Sequence, residues 1–130
     1  MTPEQVALEL TGMWYEMVTI DHHKDRDCYW YIEQVWSYGR PPTWRVRHDG
    51  YVGLSVEVAG MTSYGGALRA LIETLMRKLP PYLSVDAEYA SHAVGLGRLD
   101  KKFIERRSLY AAALEGLPPR KELQEIDPWT

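Results

Sequence analysis

Two rhythms of apolar and polar residues run along this chain, and their changes mark its elements. From 63 to 79 the rhythm is helical. Leu68, Leu71, Ile72, Leu75, Met76 and Leu79 recur at spacings of three and four, which lines one face of a helix. Upstream the rhythm has a period of two, as in strands with one buried face. Trp14, Val18 and Ile20 alternate against Tyr15, Met17 and Thr19 between Met13 and Ile20. From Cys28 to Ser37, Trp30, Ile32 and Trp36 alternate against Tyr29, Tyr31, Glu33 and Val35. From Thr43 to His48, Trp44 and Val46 oppose Arg45 and Arg47, and Tyr51 to Val58 adds a fourth short strand.

The punctuation between these runs has its own chemistry. Thr2-Pro3-Glu4-Gln5 supplies a capping hydroxyl, a first-turn proline and a capping-box glutamine, so a short helix carries Val6, Leu10 and Met13 and stops at Gly12. Gly39-Arg40-Pro41-Pro42 breaks one strand from the next, and Asp49-Gly50 is a tight-turn signal. Thr62 or Ser63 caps the long helix. Gly65 and Gly66 weaken its first turn by roughly 1 kcal/mol each, against about 1.5–3 kcal/mol for each apolar side chain it buries. Pro80-Pro81 ends it. A helix from Val85 to Ala93, a break at Gly95 and Gly97, and a final helix capped by Asp100 follow; Gly116 and Pro118-Pro119 stop the last one near Glu115.

The expected fold is a single α+β domain over 1–130: a three- or four-stranded antiparallel sheet packed with one long helix, plus C-terminal helices nearby or across the other face. Residues 1–79 form the core, 80–117 a helical extension, and 118–130 a loosely held tail. At 130 residues the chain buries a core without staples, and the lone Cys28 excludes an internal disulfide and fits a reducing cytoplasm. No apolar run approaches the roughly 18 residues that span a bilayer, and the N-terminus lacks the pattern of a signal peptide. A formal charge of -3 gives no global attraction to nucleic acid or anionic lipid.

Candidate chemistry falls into a few clusters. Asp21 to Cys28 gathers metal-capable side chains, namely His22, His23, Asp25 and Asp27, with His48 available from a neighbouring strand. The spacing matches no CxxC pair, no HExxH helix and no EF-hand loop, so a solvated loop with Asp side chains capping its turns is the competing reading. Neither a GxSxG elbow nor a P-loop is present; Gly60 to Gly66 is glycine-rich but lacks the Walker lysine. With Trp30, Ile32, Trp44 and Val46 inward, Tyr29, Tyr31, Arg45 and Arg47 emerge together on the opposite sheet face. Aromatic rings beside guanidinium groups suit a protein partner or single-stranded nucleic acid, unless the C-terminal helices cover them. Arg98, Lys101, Lys102, Arg106 and Arg107 form a basic cluster on the last helix, with Lys102 and Arg106 on one side of it.

Three resemblances add expectations. The order helix, three antiparallel strands, helix over 2–79 resembles the double-stranded-RNA-binding fold. At the position of that family's basic second-helix start, Ser63-Tyr64-Gly65-Gly66-Ala67 carries no lysine. The Gly60-x-Thr62-x-x-x-x-Ala67-Leu68 run resembles HicB-type antitoxin domains. Asp21-His22-His23-Lys24-Asp25-Arg26-Asp27-Cys28, Trp36-Ser37-Tyr38-Gly39, Pro42 and His48-Asp49-Gly50-Tyr51 resemble the text of small proteins of actinobacterial phages, which implies a role in the host cytoplasm during infection and transfers no catalytic residue. The functional expectation is a non-enzymatic, cofactor-free protein binding a host or phage protein through Tyr29, Tyr31, Arg45 and Arg47. The alternatives are nucleic-acid binding by that face with Lys102 and Arg106, a homo-oligomer formed through an uncovered sheet edge or the aromatic patch, and a metal-dependent enzyme using the 21–28 loop.

Overall fold

The computed structural model describes residues 1–20, 29–50, 53–83 and 90–119. Within them lie α1 (Pro3–Ile20), β1 (Trp30–Val35), β2 (Thr43–Gly50), β3 (Gly53–Met61), α2 (Tyr64–Leu83) and α3 (Ala90–Glu115). This is an α+β fold with a three-stranded antiparallel sheet in the order β1-β2-β3 and three helices.

The capping box forms as its residues dictate. Gln5 N–H donates to Thr2 Oγ1 at 3.1 Å, and Thr2 N–H donates to Gln5 Oε1 at 2.8 Å. The helix it starts does not stop at Gly12. It runs to Ile20, so 13–20 is helix rather than a strand; the strand expected over 51–58 is β3, described from Gly53, and the sheet has three strands among the described residues. Val6, Leu10, Met13, Trp14, Met17 and Val18 are all buried, a stripe at spacings of three and four that crosses Gly12 without interruption. Gly12 itself lies on the solvent side, with nothing within 4 Å of where a Cβ would stand.

The sheet places its apolar residues on the helix side. Val46 and Met61 are fully buried, and Trp30, Ile32, Trp44 and Val58 pack against the core. β1 and β2 pair without a break from Trp30↔His48 to Val35↔Thr43. β2 and β3 do not: the register shifts twice, between Trp44 and Val46 and between Val46 and Arg47. Each shift inserts an additional residue on β3, and Gly60, at φ 80°, supplies the left-handed conformation beside one of them. Asp49-Gly50, read as a turn, is the paired end of β2, opposite Leu54 and Gly53.

α2 lies against all three strands, α1 packs beside α2, and α3 packs on both helices. The C-terminal helix therefore thickens the helical side and leaves the outer sheet face clear of it. Trp14 joins α1 to the sheet. Its ring meets Trp30 edge-on at 5.4 Å and His48 edge-on at 5.2 Å, while Trp30 and His48 stack at 4.5 Å. Lys78 Nζ lies 5.7 Å from the centre of the Trp30 ring and bonds Glu57 at 2.8 Å.

Two expected helix ends were overridden by burial. α2 continues through Pro80 and Pro81 to Leu83, because Leu79 and Leu83, one turn apart, are both buried and hold the last turn. α3 passes through Gly95 and Gly97 as one helix. Its seam of Leu96, Leu99, Phe103, Tyr110 and Ala113 is buried, and several large side chains at about 1.5–3 kcal/mol outweigh two glycines at about 1 kcal/mol each. The stop after Glu115 holds, with Gly116 and Leu117 N–H donating to the carbonyls of Ala113 and Leu114.

Beyond that stop, the chain is fastened to α2. The Arg69 guanidinium donates to the carbonyl oxygens of Leu117 (2.8 Å), Pro118 (2.9 Å) and Leu114. Carbonyls of a last helical turn lack intrahelical donors and sit at the negative end of the helix dipole, so a fork of cationic N–H groups suits them. Pro118 also packs over Gly65, where a Cβ would come within 2.7 Å of its ring; only glycine fits beneath it. Of the loosely held tail expected over 118–130, Pro118 bonds Arg69 and packs on Gly65, and residues 120–130 lie outside the described residues.

Candidate binding face

The outer face of the sheet is built by β1 and β2. Register places Tyr31 opposite Arg47 and Glu33 opposite Arg45, so all four side chains leave on the same side. Val56, exposed, continues the row on β3 opposite Arg47. Tyr29 enters just before β1 and meets Tyr31 edge-on at 6.4 Å. On its other side Tyr29 stacks on Tyr15 of α1, with ring centres 6.2 Å apart and planes within 11°. All three tyrosines are exposed.

Glu33 organises the arginines. Arg45 Nε donates to Glu33 Oε2 at 2.9 Å, and Arg47 Nη1 donates to both carboxylate oxygens at 2.8 Å. The Arg47 hydrogen bond foremost, with Arg45 adding to it, holds the Glu33 carboxyl below the usual carboxylate range against the opposing effect of partial burial. Two guanidinium groups share one carboxylate, so the patch keeps a net positive charge. Its arginines are also oriented in advance, Arg47 being the more enclosed.

The expected residues divide into three groups. Tyr29, Tyr31, Arg45 and Arg47 come together on this face. Lys102 and Arg106 do not join them: α3 is separated from the sheet by the other helices, and both residues turn toward Glu9 of α1, at 3.9 Å and 2.8 Å. There, burial favours the neutral form of Glu9, but the hydrogen bond from Arg106, with Tyr110 and Lys102 adding, outweighs it and leaves the carboxyl below its ordinary range. Burial foremost, then Glu9, pushes the Tyr110 hydroxyl well above its usual range; that hydroxyl donates to Met13 Sδ at 3.6 Å. This basic pair is a clasp between helices. His22, His23, Asp25 and Asp27 lie outside the described residues. His48 is packed between two indoles, and among the described residues no three His, Cys, Asp or Glu side chains converge as metal ligands.

Two members of the face escaped the sequence. Glu33 was visible as an outward residue, but linking it to Arg45 and Arg47 required the register. Tyr15 was hidden by the strand reading of 13–20; on a helix it adjoins Trp14 and so reaches the start of β1.

No protein-family model, no curated protein and no solved structure matches this chain. Among the described residues no helix is long and apolar enough to cross a membrane.

Proposed function

We propose that this chain is a non-enzymatic binding protein whose outer sheet face docks on an acidic protein surface. The observation that carries this reading is the exposed Tyr15–Tyr29–Tyr31 run of rings beside an arginine pair held in place by Glu33. Tyrosine and arginine are the side chains that dominate binding energy at protein interfaces, and prior orientation lowers the entropy lost on docking. The net positive patch favours carboxylates on the partner and disfavours an identical face of a second copy.

Single-stranded nucleic acid is the second reading, favoured by the stacked tyrosines. It is weakened by the diversion of Lys102 and Arg106 to Glu9, which leaves the face without the further cations that a phosphate backbone needs. The test pairs two measurements. Affinity capture with the wild-type chain, Tyr31→Ala and Arg45→Ala should enrich a protein that both variants lose while their circular dichroism stays unchanged. Light scattering with short DNA and RNA at low and moderate salt should give no complex. A salt-sensitive oligonucleotide complex lost in Tyr31→Ala would replace the protein reading with the nucleic-acid one.

A further inference from the structure

The β1–β2 connection, Trp36 to Pro42, is the most exposed aromatic feature among the described residues. Trp36 is 72% exposed and Tyr38 fully so, with Arg40 exposed beside them. Tryptophan is seldom left this open in a folded domain, since its ring area is worth burying. The backbone beneath is closed rather than slack. Arg40 N–H donates to the Ser37 carbonyl at 3.2 Å, and Gly39 takes φ 74° between them. Nothing lies within 4 Å of a Cβ at Gly39, so the glycine answers to the turn and not to packing. Pro41 and Pro42 then fix φ on the exit into β2.

We infer that this hairpin tip is an anchor that inserts Trp36 and Tyr38 into a concave apolar pocket of a protein partner, with Arg40 meeting a carboxylate at the pocket rim. A convex, pre-shaped tip fits a hollow, and it loses little chain entropy on binding. Trp, Tyr and Arg are the three side chains most enriched among residues whose truncation costs an interface most. A lipid surface is the poorer occupant. The tip offers one cation and, besides its two prolines, no aliphatic side chain, and the chain as a whole carries -3, whereas stable surface binding needs apolar area together with several basic groups. This inference rests on the reading of the chain as a binding protein, but not on the tyrosine–arginine face.

The test places the photocrosslinker p-benzoylphenylalanine in the full chain, separately at positions 38 and 31, and irradiates it in its native cell extract. The expected result is a discrete heavier adduct from position 38. Its partner, identified and purified, should bind Trp36→Ala and Tyr38→Ala at least about 30-fold more weakly than wild type, with their melting temperatures unchanged. A cyclised peptide of residues 35–43 should compete. The inference is overturned if position 38 gives no adduct, if the adduct is a second copy of this chain, or if the purified partner binds both variants as it binds wild type. It is equally overturned if wild type, but not the variants, sediments with phosphatidylcholine–phosphatidylglycerol vesicles. An adduct from 31 alone removes the tip and leaves the face; one from 38 alone does the reverse.

Discussion

Replacing Arg69 by alanine removes the fork that holds the carbonyls of Leu114, Leu117 and Pro118. A hydrogen bond to a charged group is worth about 1.5–3 kcal/mol when its partner would otherwise stay dry. The Leu114 and Leu117 bonds are partly buried, whereas the Pro118 bond is exposed and its carbonyl can turn to water. Two effective bonds therefore give about 3–6 kcal/mol, less about 1.5–2 kcal/mol of side-chain entropy recovered when the arginine is no longer held. Allowing for water reaching the freed carbonyls, the expected loss is about 2 kcal/mol. At roughly 4 °C per kcal/mol for a chain of this size, the melting temperature should fall by about 8 °C. Arg69→Lys should recover only part of this, since an ammonium cannot reproduce a planar fork. Glu73→Ala, which removes the neighbouring 3.4 Å i, i+4 ion pair, should cost less than Arg69→Ala, that pair being worth about 0.5 kcal/mol. Thermal unfolding of the three variants with hydrogen exchange at 114–119 reads the effect. A shift under 2 °C for Arg69→Ala, or full recovery by lysine, would show that these carbonyls do not need the guanidinium.

Gly65→Ala should destabilise the protein by about 1–3 kcal/mol, despite alanine's higher helix propensity, because the new methyl meets Pro118 at 2.7 Å; combining it with Pro118→Ala should restore most of the loss in chemical denaturation. Glu33 and Glu9 both have carboxyl pKa values lowered in the fold from the ordinary 4.5. Below about that pH the unfolded chain binds more protons than the folded one, so the stability these carboxylates confer is present above 4.5 and is lost as pH falls through their folded values. Urea midpoints measured from pH 6 to pH 3 should therefore decline less steeply in Glu33→Gln and Glu9→Gln than in wild type; parallel curves would contradict the assignment. Arg106→Ala should raise amide exchange along both α1 and α3, since it leaves Glu9 without its closest cation, while an effect confined to α3 would argue against the clasp.

The sequence read well where one period ruled. The capping box at Thr2 and Gln5, the inward set of Trp30, Ile32, Trp44 and Val46, and the apolar stripe of α2 all follow from local pattern. It misled where two periods coincide: Trp14 and Val18 satisfy both an alternating strand and a helical turn, and only the burial of Met17 beside them decides for the helix. Glycine and proline misled for another reason. Their local costs at Gly12, Gly95, Gly97, Pro80 and Pro81 are real, but the burial that outweighs them comes from distant chain. The candidate face was half legible. Its tyrosines and arginines follow from alternation, whereas Glu33 as their organiser, and the diversion of Lys102 and Arg106 to Glu9, depend on which strands and helices become neighbours.

The unequal edges of the sheet carry a final consequence. Among the described residues no strand pairs with the outer edge of β1, whose backbone groups form an unbroken row because its pairing with β2 never slips. β3 is twice interrupted, so its outer donors and acceptors fall out of step with any regular strand laid beside them. Growth of this sheet by an added strand is thus directional. An extended segment, whether from a partner or from an unfolded neighbour, finds a continuous template along Trp30–Val35 and a mismatched one along Gly53–Met61.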